Sequence, residues 1–182
     1  MTSHGAEAPD LPAGLPDDPI AWFLAEHHRH RQFCELMNRA AGATVFDEEL
    51  VTWLLDFVVH ELAQHVGDEE QNFFPLLRAR ALPEDDVDEV LGRLSAEHAK
   101  DLDHAKAVRC HLEACLQRRT PPGRSAARRR ALQAFAAQEL RHLALENAVV
   151  LPLARLRLTP EDLRDLSVKL AARRGLRFDA QT

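Results

Sequence analysis

Apolar residues recur along this chain three and four positions apart, the spacing of an amphipathic helix, in four long stretches and one short one. The first stretch runs from about Asp18 to Ala41, with Ile20, Phe23, Leu24, Cys34 and Met37 on its stripe and Gly42 as its stop signal. The second opens near Asp47, a side chain suited to an N-cap, and its stripe of Leu54, Val58, Leu62, Phe73 and Leu76 continues to about Ala81. Pro83 opens the third, which carries Val87, Leu91, Leu94, Leu102, Ala105 and Leu112 to about Gln117, before Thr120-Pro121-Pro122-Gly123 breaks the chain. The fourth spans about Ser125 to Leu156. Thr159, Pro160, Glu161 and Asp162 then supply a cap, a proline at the first helical position and early acids for a fifth, shorter helix that ends by Gly175.

Long helices joined by short loops pack best as an antiparallel bundle. The expected fold is therefore all-α: an up-down four-helix bundle over residues 18–158, a flexible arm at 1–17, and a C-terminal helix with a tail at 159–182. Composition agrees, since Gly is scarce, Tyr is absent, and 46% apolar with 29% charged residues is what one soluble globular domain carries. Apolar runs such as Phe57 to Val59 and Ala148 to Leu151 fall far short of the roughly 20 residues that span a bilayer. The prolines at 9, 12, 16 and 19 do not resemble a secretory signal. Cys34, Cys110 and Cys115 are odd in number and suit reduced thiols acting as small hydrophobes, so a cytoplasmic location is expected. The net charge of −6 leaves only Arg118, Arg119, Arg124, Arg128, Arg129 and Arg130 as a basic cluster. Without interleaved aromatics it is expected to be a solvated loop, and no nucleic-acid or membrane partner is expected.

The chemistry lies in a repeat. His65 and Glu69 in the second helix, like His142 and Glu146 in the fourth, form His-x-x-x-Glu followed by a proline ten residues after the His. The first and third helices each carry a Glu-His pair, Glu26-His27 and Glu97-His98, so a two-helix unit occurs twice. Residues four apart stack on one helix face, and His27, His65 and His98 fall in register with the apolar stripes. Burying six such groups without a counter-charge costs several kcal/mol or abolishes their ionisation, a conflict that a pair of cations resolves. The candidate ligands are thus His27, His65, Glu69, His98, His142 and Glu146, with each glutamate able to bridge and two histidines terminating each ion. Nitrogen and oxygen donors without thiolate favour iron or manganese over structural zinc. His30 is a possible partner or alternative ligand three residues from His27, and His28 is ambiguous. Glu26 and Glu97 precede a ligand, and Glu61 and Gln138 lie one turn before one, where they can orient an imidazole or simply face solvent. His4, His60, His104 and His111 are expected at the surface.

With these residues the sequence resembles the hemerythrin family, in its bacterial HHE cation-binding branch, from about Pro19 to Leu156. The likeness includes the ending Glu69-Glu70-x-x-Phe73-Phe74-Pro75 of the second helix. It implies a site of two iron ions, joined by an oxo or hydroxo bridge, held by the six residues just named. The chain departs from the oxygen carriers of marine invertebrates, which have His-x-x-x-His where this chain has His98 and Leu102, and a longer His-to-Asp spacing where it has His142 and Glu146. Its order of four histidines and two glutamates is similar to that of bacterial proteins described as repairing iron centres, whose usual N-terminal cysteine-containing domain has no counterpart in this sequence. A ferritin-like site would need Glu-x-x-His on two helices, and only Glu139 and His142 fit. The expected function is binding or sensing of oxygen, nitric oxide or peroxide. The alternatives are an enzyme of oxidative or nitrosative stress, including iron delivery to damaged centres, and a metal-free helical interaction module.

Overall fold

The structure, a computed structural model, describes residues 18–176. The expected arm at 1–17, with His4, and the end of the tail lie outside the described residues. Four long helices form the bundle: α1 (Pro19–Gly42), α2 (48–80), α3 (Val87–Arg118) and α4 (126–157), followed by α5 (Pro160–Arg173). Their starts follow local chemistry. Asp18 accepts from the Ile20 amide at 2.9 Å, Asp47 from Leu50 at 3.0 Å and Ser125 from Arg128 at 3.2 Å, each satisfying an amide that the first turn leaves free. Thr159 and Asp162 form a reciprocal capping box at the head of α5. The third helix begins at Val87, later than Pro83 suggested, because Pro83–Asp85 form a 3-10 turn and Asp86 adopts a left-handed φ of 47° that interrupts the helix.

The two prolines of the repeat leave a visible mark. Pro75 and Pro152 have no N–H for the carbonyl four residues back, and their rings crowd that turn. The helix widens into a π turn just ahead of each, Glu69–Phe73 and Glu146–Val150, where Phe74 and Leu151 donate to the carbonyls of Glu69 and Glu146. A third π turn, Phe57–Glu61, has no proline behind it. Such turns break the regular advance of side chains around a helix and often accompany functional sites.

The core is split into two apolar clusters. Phe33, Met37, Leu54, Phe57, Leu112 and Phe135 belong to one, and Phe23, Phe73, Phe74, Leu77, Leu91 and Leu151 to the other. Along every bundle helix a buried polar stretch separates the two: His27 and His30 on α1, His65 and Glu69 on α2, His98 and Asp101 on α3, Glu139, His142 and Glu146 on α4. Leu166 and Leu170 dock α5 on the second cluster. At the other end Gly123 presses its backbone on Ala41, where an added Cβ would sit 1.7 Å from the carbonyl oxygen. The loop is thus a docked cap on α1, while the arginines around it remain exposed as expected. Among the described residues no helix is long and apolar enough to cross a membrane.

Candidate metal centre

The polar layer between the two clusters gathers all six residues of the sequence repeat, each at most 4% exposed. They fall into two groups of potential cation ligands that share both carboxylates: His27, His65, Glu69 and Glu146, and Glu69, His98, His142 and Glu146. The carboxylates divide their oxygens between the groups. Glu69 turns Oε1 toward Nε2 of His27 and His65, at 3.9 and 3.5 Å, and Oε2 toward Nε2 of His98 at 3.2 Å. Glu146 turns Oε2 toward His27 at 3.5 Å and Oε1 toward His142 at 2.9 Å. The imidazoles pair correspondingly, with ring centroids 5.1 Å apart for His27 and His65 and 4.5 Å for His98 and His142.

The opposite edge of every ring is tied down. His65 Nδ1 lies 3.1 Å from Glu26 Oε2, His142 Nδ1 3.3 Å from Glu97 Oε2, His98 Nδ1 2.6 Å from Glu70 Oε1 and His27 Nδ1 3.1 Å from Asn147 Oδ1. A proton on each Nδ1, donated to these acceptors, leaves each Nε2 with its lone pair facing inward, the tautomer a metal ligand needs. The pattern repeats across the two halves. The glutamate preceding the histidine of α1 or α3 orients the histidine of the next helix, and the residue following each shared glutamate orients the histidine of α3 or α1. Glu26 and Glu97 therefore act on imidazoles, though each on a histidine other than its neighbour in sequence. Glu70 and Asn147 escaped the sequence reading, and their signal was the same repeat carried one residue further, Glu69-Glu70 against Glu146-Asn147.

Other candidates lie apart. Glu61 pairs with Arg29, and Gln138 accepts from Arg141 at 2.6 Å on the surface. His30 is buried against the site, its ring centroid 4.4 Å from that of His65, but it belongs to neither ligand group, and its Nδ1 is 4.0 Å from Glu139. Burial holds its pKa well below the ordinary value, so it is neutral. His28, His60 and His104 are exposed. His111 is half-buried, a departure from the surface position expected for it, because its Nε2 donates to the Pro122 carbonyl at 2.8 Å and anchors the loop.

The inward-facing atoms are chemically unfinished. Nε2 of the four histidines and both oxygens of Glu69 and Glu146 are buried with no hydrogen-bond partner among the described residues. Burial disfavours the imidazolium of His65, yet the carboxylates of Glu69 and Glu26 raise it to about 10. Burial likewise opposes, and Glu146 outweighs, so that His142 rises to about 9. Glu69 is held well below the usual carboxylate range, against its burial, chiefly by the charge of His65. Without cations, protons on the imidazoles are what balances the buried carboxylates; cations would replace those protons and complete all eight donor atoms. The donors fit a pair of such ions.

A cavity of about 10 Å³, roughly one water in size, touches the layer beside His65, His98 and His142 and is closed by Leu62, Val66, Leu102 and Leu143. Two buried carboxyls that no ligand group contains, Asp101 and Glu139, complete its wall. Asp101 also lines a groove of about 560 Å³ between α3 and α4 that opens to solvent.

Fold and site together define an all-helical bundle built around paired His/Glu cation-binding clusters. A family model described as the hemerythrin HHE cation binding domain matches residues 18–154, and the chain belongs to that family. A search of the curated proteins found no match.

Proposed function

We propose that this protein holds two iron ions, one between His27 and His65 and the other between His98 and His142, bridged by Glu69 and Glu146, and that it binds or senses oxygen, nitric oxide or peroxide there. The observation that carries the reading is the set of buried, unpartnered donor atoms, divided evenly between two positions by carboxylates that face both. Two imidazoles and two carboxylate oxygens leave part of an octahedral coordination sphere open at each position, and the donor set contains no thiolate. Iron, when bound, supplies open coordination positions and one-electron redox chemistry to a small ligand. The cavity beside the histidines, about one water in size, touches the donor layer at His65, His98 and His142. Cys34, Cys110 and Cys115 are all free, which supports a reducing, cytoplasmic setting.

One feature favours turnover over reversible carriage. Asp101 and Glu139 are buried in the cavity wall, and burial raises both carboxyls above their ordinary values, which sets two candidate proton donors beside a ligand in the cavity. Leu102, in the position where the oxygen carriers of the family place a further histidine, leaves the four imidazoles shared two and two. Protein made with ample iron should contain about two irons per chain, and one tightly bound zinc with no iron would overturn the reading. Reduced protein cycled between air and argon should oxidise progressively in its absorption spectrum; clean recovery over many cycles would mean reversible oxygen carriage.

A further inference from the structure

Helix α5 lies beyond the residues that the family model matches, yet its last turn reaches the metal layer. Arg174 donates from Nη2 to Glu26 Oε1 at 2.5 Å, while the other oxygen of Glu26 meets His65 Nδ1 at 3.1 Å. Its Nη1 stands 2.7 Å from Asp68 Oδ2, and its guanidinium lies 4.7 Å from the centroid of the Trp22 ring. Arg173 donates to the other oxygen of Asp68 at 2.6 Å. Asp68 is fully buried and immediately precedes Glu69, and the Arg174 side chain is only 9% exposed. Two arginines from one helix end thus grip the carboxylate that orients His65 and the residue beside a shared glutamate.

Among the described residues the other half of the repeat has no such grip. Glu97, the counterpart of Glu26, meets Arg93 of its own helix, a side chain 67% exposed. The counterpart of Asp68 is Leu145, which carries no charge.

We propose that Arg174 is a positioning residue for the ion at His27 and His65: by fixing Glu26 it fixes the His65 imidazole, so that the two cation positions are unequal and docking of α5 is coupled to retention of that one ion. The inference rests on the two-ion reading. A buried guanidinium with two carboxylate partners is rigid, whereas an exposed pair within one helix turn contributes little order. Coupling is reciprocal, so an ion that holds His65 in place also holds Glu26 against Arg174 and α5 against the bundle.

The test follows release of iron from reduced, loaded protein into excess colorimetric ferrous chelator. In R174A one equivalent should leave on the order of tenfold faster than in the unaltered protein while the other keeps its rate, since loss of a group that orients a metal-bound histidine costs about 10- to 100-fold in metal affinity. R174K should recover part of the difference, and R155A, which removes an exposed pair with Asp18, should match the unaltered protein. Equal acceleration of both equivalents, as general loosening would cause, overturns the proposal, and so does no acceleration. If R174A does not fold, amide hydrogen exchange in the unaltered protein decides: iron slowing exchange in 160–173 by a larger factor than in 126–135 at the far end of the bundle supports the coupling, and an equal or smaller factor overturns it. Unaltered protein with fewer than two ions would instead defeat the two-ion reading itself.

Discussion

At the scale of single residues, the shared carboxylates and the terminal imidazoles have different weights. Glu69 directs one oxygen to each ligand group, whereas each histidine belongs to one group only. Glu69→Ala should therefore lose both ions and lower the melting temperature, whereas His27→Ala should retain more metal. Metal analysis and thermal melts of the two variants check this, and full iron with an unchanged melting temperature in Glu69→Ala would refute the bridging role. Asn147→Leu leaves all six proposed ligands in place, and removes the acceptor of His27 Nδ1 together with the hydrogen bond that Asn147 Nδ2 donates to the Leu143 carbonyl at 2.7 Å. It should weaken metal retention by about tenfold through the loss of ring orientation, measurable by competition with a chelator.

Within the elements, the joints and caps carry consequences for stability. Gly123→Ala would drive a methyl group into the Ala41 carbonyl, and since backbone cannot yield as a flexible side chain does, the loop must lift from α1. A loss near the upper end of about 1–3 kcal/mol is expected, read as a lower melting temperature. The head of α5 should be sensitive to acid. The bidentate contact from Arg80, with hydrogen bonds from Thr159, holds Asp162 down from 3.8 to about 2. A carboxyl lowered on folding stabilises the protein above its unfolded pKa, and that stabilisation disappears as pH falls through the folded value. The melting temperature should drop between about pH 4 and pH 2, and Asp162→Asn, less stable at pH 6, should show a shallower drop over that range.

For the molecule as a whole, the metal layer is a seam between two apolar clusters joined by the same four helices. Orphaned charges at such a seam oppose packing, and cations there act as part of the core. Metal-free protein should therefore melt at a lower temperature than loaded protein, with the difference growing with free metal concentration and restored on reloading. Calorimetry at several metal concentrations measures it, and coincident melts would show that the bundle stands without its ions.

By itself the sequence determined the helices and their order, and it singled out six residues that the structure brings together in one buried layer. Periodicity and caps are local properties, and a His-x-x-x-Glu on an apolar stripe must point where the stripe points. The prolines ten residues after His65 and His142 were equally legible, but the π turns they force depend on backbone hydrogen bonding that spacing alone does not express. Only the tertiary structure decided which histidines share a position, because that follows from how α1 to α4 are set side by side. It also decided that Glu26 serves His65 and not adjacent His27, and that Glu61 turns away to Arg29. The role of α5 was likewise out of reach of the sequence. Arg174 stands 148 residues from Glu26 along the chain, and only packing of Leu166 and Leu170 on the second cluster brings the two charges together.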